Sequence, residues 1–158
     1  QAIVRDGYDR PAETFATNVV GTANVLEIAR AARDWLVKFL KERVPANLGA
    51  PLATLPRMQE VAGGIEARLA VNARLIDSFA SDFDNGFPLS AIESNIIKLT
   101  VTNNAAAVVE DALSLTSNHG LSRTNPLERH YRDVLCGRVH TPQDDSTRVA
   151  AGRFALGV

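Results

Sequence analysis

Apolar residues recur every three or four positions along most of this 158-residue chain, and no run alternates apolar and polar long enough to read as a strand. A chain patterned this way buries its apolar surface by packing helix on helix, which predicts an all-α fold. Asp9 and Pro11 mark a first helix start, because proline tolerates the first turn, where its missing N–H costs nothing. From there Val25, Ile28, Ala32, Trp35 and Phe39 form one stripe, and Phe15, Val19, Thr22, Leu26, Leu36 and Leu40 form a second. A helix apolar on two sides is expected to be packed on two sides. The run 44–55 contains Pro45, Gly49 and Pro51 and reads as a connection, with Thr54 and Pro56 opening the next helix.

The second helix is traced by Met58, Val61, Ile65, Leu69, Asn72, Ile76, Phe79 and Phe83, until Asp84-Asn85-Gly86 ends it. Gly63-Gly64 inside it marks either a close helix approach or a weak point, since each glycine costs about 1 kcal/mol relative to alanine. Ser90 and Glu93 make a capping-box pattern for a third helix through Ile92, Ile96, Leu99, Asn103, Ala106 and Leu113. Asn125-Pro126-Leu127-Glu128 opens a fourth that ends near Gly137, and Asp144 or Asp145 is placed to cap a last one through Leu156. The expectation is an up-and-down antiparallel helical bundle with about four main helices plus a short C-terminal helix, forming a single helical domain over residues 1–158.

Charge and cysteine content exclude several classes. A net charge of −1, from 17 basic and 18 acidic residues, gives no electrostatic case for nucleic acid or an anionic membrane surface. The lone Cys136 excludes an intramolecular disulfide and any multi-cysteine zinc site. No leader and no apolar run of about 18 residues is read, so the expectation is a cytoplasmic protein without a membrane span. The chain begins at Gln1 rather than Met, which reads as a fragment or a processed chain.

From about Ala31 onward several segments occur in the order found in one enzyme family. Lys41-Glu-Arg is followed by Leu48-Gly-Ala-Pro-Leu and then Met58-Gln59. Ser94 to Leu115, with Lys98 and Asp111-Ala112-Leu113, is followed by Asn118-His-Gly-Leu-Ser-Arg-Thr-Asn-Pro-Leu-Glu-Arg-His-Tyr-Arg-Asp133. Together these resemble the C-terminal helical domain of acyl-CoA dehydrogenases and their flavin monooxygenase relatives. The resemblance implies FAD as cofactor, a homo-oligomer whose subunits share flavin sites, and an acyl-CoA or aromatic substrate in the parent enzyme. Ahead of this, Tyr8-Asp-Arg-Pro-Ala-Glu-Thr-Phe-Ala-Thr-Asn-Val-Val-Gly-Thr22, running on to Arg30, looks like one helix of an extended short-chain dehydrogenase of the nucleotide-sugar 4,6-dehydratase type. A seam is therefore expected near residues 28–33, with the dehydratase-like residues 1–30 forming the start of the first helix.

The resemblance also implies roles for residues. In the family an Arg before a Phe-Gly-x-Pro turn reaches the FAD pyrophosphate of a neighbouring subunit, a task suited to a planar, always-charged fork. Arg43 is the matching residue, with Leu48 in place of the aromatic. A Gly-rich turn brings backbone close to the nucleotide part of the flavin, and Gly120 is the glycine kept at that place, with Ser117 and Asn118 where glycines are usual. The carboxylate that removes the proton alpha to the thioester would stand in the segment Val139-His140-Thr141-Pro142-Gln143-Asp144-Asp145, where Thr141 has no acid–base group to replace it. His140 beside it resembles the monooxygenase branch, where an imidazole lies near the flavin, and is the candidate catalytic residue. Blander roles stand beside these: His140 as a helix C-terminal residue, Arg129, Arg132 and Asp133 as a solvated helix face, and Asn72 and Asn103 as buried amides fixing helix register.

No His-Glu-x-x-His or clustered ligand spacing indicates a metal. The dehydratase-like segment carries neither a glycine-rich phosphate turn nor a Tyr-x-x-x-Lys pair, so nicotinamide chemistry is not expected. Two functional expectations result. One is an incomplete FAD-dependent oxidoreductase domain, inactive as this chain alone. The other is a non-enzymatic helical oligomerisation module, with a nucleotide-sugar dehydratase fragment behind both.

Overall fold

The computed structural model describes residues 11–87, 90–120 and 122–158, with side chains described from residue 21 onward except those of 88, 89 and 121. The helix-start reading at Asp9 and the side chains of Phe15, Asn18 and Val19 lie outside the described residues. The elements of the described chain are all helical: α1 (Pro11–Glu42), α2 (Pro56–Asp84), α3 (Ala91–Thr116), α4 (Pro126–Val139) and α5 (Asp144–Leu156), with short 3₁₀ turns at Leu52–Thr54 and Ser117–His119. There is no strand among the described residues.

Side-chain pairs give the directions. Asn72 meets Val101 and Asn104 while Arg68 meets Asp111, so α2 runs antiparallel to α3. Val25 lies near Gly137 and Phe39 near His119, so α1 runs parallel to α3 and antiparallel to α4. The result is the expected up-and-down bundle of four main helices with a short fifth. One apolar cluster holds it together, with Leu26, Leu36 and Leu40 of α1, Ile65 and Leu69 of α2, Val108, Val109 and Leu115 of α3, and Leu127 and Val134 of α4. Each fully buried branched side chain of this kind contributes about 1.5–3 kcal/mol relative to exposure.

The helix most central to the bundle is α3, which packs against all four others. Its buried face is Val101, Ala105, Val108, Val109, Ala112 and Leu115, whereas Ile96 is exposed and Ile92, Leu99 and Leu113 are only partly covered. The stripe expected from periodicity was therefore rotated away from the true core face, apart from Ala106. The physical reason is that α3 is apolar nearly all round, as a helix enclosed by others must be, so period alone cannot single out one face.

The helix ends follow their sequence signals with two corrections. Ser90 and Glu93 form the full capping box: the Glu93 N–H donates to Ser90 Oγ at 3.2 Å and the Ser90 N–H to Glu93 Oε2 at 3.0 Å. The Ser90 N–H and, after it, the Ser90 hydroxyl, which donates to Glu93 Oε2 at 2.9 Å, hold the Glu93 carboxyl below its usual range. The Leu127 N–H donates to Asn125 Oδ1 at 2.9 Å, and Asn85 ends α2 ahead of Gly86 at φ 75°. Thr54, however, does not cap α2; it lies in the preceding turn with its hydroxyl donating to Pro51 O at 2.8 Å. Nor do Asp144 and Asp145 cap α5, since both lie inside its first turn.

Glycines also resolve. At Gly63 an added Cβ would meet nothing within 4 Å, and at Gly64 only the Arg68 side chain at 3.8 Å, so the pair marks no close helix approach. Gly137 is different. It lies inside α4 rather than at its end, and a Cβ there would stand 2.9 Å from Thr102 Cγ2 and 3.6 Å from Val25 Cγ2. Absence of a side chain at 137 is what lets α4 close on α1 and α3.

Candidate functional site

Two clefts lie at opposite ends of the bundle. The first, about 210 Å³, is lined by Gly21, Thr22 and Val25 of α1, Lys98 and Thr102 of α3, and Cys136, Gly137 and His140 at the end of α4. His140 is the residue that closes α4, its N–H donating to Cys136 O at 3.2 Å, and it forms part of the cleft wall. The structural role and the candidate functional role thus coincide at one residue.

Beneath this turn is a polar arrangement that sequence reasoning did not find. Lys98 is only 6% exposed. Its ammonium donates to His140 O at 2.9 Å and to Pro142 O at 2.8 Å, the carbonyls on either side of Thr141. Burial pushes the Lys98 amine below its usual range, and the negative charge of Asp144 opposes that shift. Asp144 in turn accepts from the Asn103 amide at 2.8 Å and lies 3.7 Å from the Arg148 guanidinium. The signal was present in the sequence: Lys98 is the only charged residue between Ile96 and Val109. A lone cation in such a run needs buried acceptors, and here they are carbonyls of an α4–α5 turn left unpaired where a helix ends.

The second cleft, about 380 Å³, is lined by Trp35 and Phe39 of α1 and by Asn118, His119, Ser122, Thr124, Asn125 and Pro126 of the α3–α4 connection. Phe39 stacks on Trp35 with ring centroids 5.2 Å apart and meets His119 at 5.4 Å. Asn125, nearly buried, donates to His119 O at 2.7 Å and so fixes the turn to the start of α4. Arg43 lies one helical turn beyond Phe39. Its carbonyl accepts from Leu52 N–H at 2.9 Å, which folds the Pro45–Pro51 loop back on the helix end, while its exposed guanidinium has no ion pair among the described residues.

Gly120 is buried in the same region, yet its lack of a side chain is set by the chain's own packing. A Cβ at 120 would stand 2.2 Å from Thr116 Oγ1 and 3.1 Å from Leu113 Cδ2. Three residues earlier Ser117 adopts φ 49°, ψ −136°, a conformation that glycine favours and other residues avoid. The turn therefore keeps a glycine-type backbone at 117 although the residue is serine.

The sequence-derived candidates are brought together only in part. Arg43 and Gly120 share one end of the bundle, whereas His140 faces Val25 at the other. Val25 and Phe39 are fourteen positions apart on α1, or about 21 Å of helix. Arg129 and Arg132 pair with Asp133 and Glu128 at i,i+4 on the exposed face of α4 and contribute to neither cleft. Gln59 is likewise structural, its amide donating to Ala53 O at 3.0 Å. No group of three or more metal-ligating side chains occurs among the described residues.

The fit to a flavin nucleotide is partial. A free, exposed guanidinium at Arg43 suits a pyrophosphate, and the backbone shape at Ser117 is that of a glycine turn, but Gly120 is accounted for without any ligand.

Comparison with known proteins locates the chain. The family described as acyl-CoA dehydrogenase, C-terminal domain, matches residues 5–146, without a break at 28–33. The acyl-CoA dehydrogenase candidate YdbM of Bacillus subtilis is 35% identical over 133 residues, covering 82% of this chain and 35% of YdbM. Cyclohex-1-ene-1-carbonyl-CoA dehydrogenase of Geobacter metallireducens is 26% identical over 151 residues, 95% of this chain and 39% of that protein. The structure of butyryl-CoA dehydrogenase from Megasphaera elsdenii superposes with a TM-score of 0.80 at 22% identity, over 88% of this chain and 36% of that one, a likeness of fold. The chain thus spans between a third and two-fifths of the length of these relatives. With five helices among the described residues in the expected bundle and the family match running through nearly all of them, the chain belongs to the acyl-CoA dehydrogenase C-terminal domain family.

Proposed function

We propose that this chain is the C-terminal helical module of an FAD-dependent oxidoreductase of the acyl-CoA dehydrogenase type, and that it turns over no substrate as this chain alone. The observation that carries the reading is the separation of the candidate residues: His140 lines the 210 Å³ cleft, and Arg43 and Gly120 lie beside the other cleft about 20 Å along α1. Residues so far apart suit a homo-oligomer in which one chain offers its His140 end to one flavin and its Arg43 end to the flavin of a neighbour. Bound FAD would supply the two-electron chemistry. The chain's own part is an imidazole at the cleft rim, a guanidinium for the pyrophosphate and the helical surface that seats both.

Thr141 in the carboxylate position and His140 beside it favour the monooxygenase branch over dehydrogenation, with an acyl-CoA or aromatic substrate in the parent enzyme and a cytoplasmic setting. Residues 1–158 act as one module in this reading, the dehydratase-like segment serving as the start of α1. Support comes from α1 itself, which runs from Pro11 to Glu42 through 28–33 without interruption.

A second reading, an association module that binds no flavin, is favoured by apolar side chains at the C-terminal end of the fold. Val139 is 73% exposed, Phe154 75% and Leu156 78%. The visible absorption of the purified chain, after incubation with excess FAD and desalting, separates the two. Retained flavin that is lost in Arg43→Ala supports the oxidoreductase module. No retained flavin, together with a concentration-dependent mass, supports the association module.

A further inference from the structure

We propose that Lys98 is a positioning residue of the His140 cleft: its ammonium clamps the carbonyls of His140 and Pro142, and thereby fixes the turn that presents His140 at the cleft rim. The inference rests on the proposed function only in taking His140 as a functional residue, since the clamp itself is a matter of this chain's geometry.

The argument begins with the ends of α4. The last carbonyls of a helix have no intrahelical partner, and the α4–α5 turn adds the carbonyls of 140 and 142 to that set. Water or a neighbouring donor must satisfy them. Lys98, reaching from two turns inside α3, donates to both at 2.9 and 2.8 Å, and does so while 94% covered, because the residue is only 6% exposed. A flexible, strongly hydrated ammonium is an expensive group to bury, and an apolar side chain of similar length would fill the same volume without that cost. What Lys98 provides in return is a link between two carbonyls that flank a single residue, Thr141, at the place where the family's catalytic carboxylate would stand.

The surroundings are arranged to keep the cation in place. The C-terminal end of α4 and the Asp144 carboxylate both favour positive charge at this point. Asp144 is itself held from α3, by the Asn103 amide at 2.8 Å, so both sides of the turn are tied to the same helix five positions apart. Gly137 lets α4 lie close enough to Thr102 for this reach. The cleft wall at His140 is thus set by α3, the best-buried helix of the bundle, rather than by the exposed end of α4.

The test uses the isotopically labelled chain without flavin, so a failed flavin measurement and a failed clamp are separate results. Exchange at the His140 and Thr147 amides, which donate to Cys136 O and Gln143 O on either side of the turn, and the ring resonances of His140 are followed in wild type, Lys98→Met and Lys98→Arg. In Lys98→Met, exchange at these amides is expected to rise about tenfold or more, the cost of a lost hydrogen bond, with Val108 and Val109 in the α3 core unchanged. His140 ring signals are expected to shift, and Lys98→Arg, which keeps donors at this position, to restore part of both effects. A folded Lys98→Met with unaltered His140 signals overturns the proposal, as does a Lys98→Arg variant indistinguishable from Lys98→Met. Should Lys98→Met fail to fold, the wild type decides: slowly exchanging Lys98 ammonium protons support the clamp, and protons exchanging as fast as those of the exposed Lys38 overturn it.

Discussion

The two ends of α3 solve the problem of ending a buried helix in opposite ways. Its N-terminal half carries polar devices: the Ser90–Glu93 capping box, the Lys98 ammonium on two carbonyls and the Asn103 amide on Asp144. Its C-terminal end has none of these. Thr116 turns its hydroxyl back to Leu113 O, Ser117 takes up a glycine-type conformation, and Gly120 fits where a methyl group would collide with Thr116. The first end gains definition from hydrogen bonds; the second accepts backbone strain to make a tight turn. Each end borders one of the two clefts, so the comparison bears on function: His140 is placed by a polar network, while the Trp35–Phe39–His119 surface is placed by close packing and the Asn125 amide on His119 O.

Four substitutions or conditions sharpen this contrast. The largest effect belongs to Gly120→Ala, where a Cβ 2.2 Å from Thr116 Oγ1 forces a shift in a buried turn; the expected loss is about 1–3 kcal/mol in denaturant unfolding. A loss under a few tenths of a kcal/mol would mean that the turn is not set by packing. Ser90→Ala removes the cap at the other end and is expected to cost about 1 kcal/mol by the same measurement. Ser117→Gly is expected to act in the opposite sense, raising stability by about 1 kcal/mol through relief of the positive-φ conformation. Stabilisation there and destabilisation at Ser90 would confirm that the two ends are built on different principles.

The smallest effect is a pH dependence at Lys98. Its amine titrates below the usual range in the folded chain, so between that lowered value and about 10.4 the unfolded chain binds more protons. Stability attributable to Lys98 therefore rises with pH through that window. The stability of wild type minus that of Lys98→Met is expected to move in favour of wild type as pH approaches about 10.4. A constant or falling difference would mean that the buried amine is not desolvated as the geometry indicates.

Much of this fold was legible in the sequence because its cues are local. The Ser90–Glu93 box, the Asn125-Pro126 start and the Asp84-Asn85-Gly86 stop act within a few residues of themselves, and each appears where the pattern puts it. Asn72, read as a buried amide on an apolar stripe, does cross to α3, donating to Val101 O at 3.0 Å and accepting from the Asn104 amide at 2.9 Å. The core face of α3 was not legible, since a helix enclosed by four others has no polar side to orient it. Nor was the site. Lys98 and Pro142 are 44 positions apart, and nothing in the spacing of either announces the other. Gly120 was read for the approach of a ligand, and what its surroundings add is a second demand for glycine, from the neighbouring Thr116 hydroxyl, which no sequence spacing announces. The expected seam near residues 28–33 leaves no mark on the structure either, because helix continues into helix there.

The central claim is that one chain serves two flavins, each site completed by a neighbour. Sedimentation velocity of the chain with FAD, recorded at the flavin's visible band, tests it most directly. The account expects flavin to travel with a dimer or larger assembly, and to be released from that assembly by Arg43→Ala without loss of the assembly itself. Flavin travelling with the monomer, or none bound to any species, would contradict it.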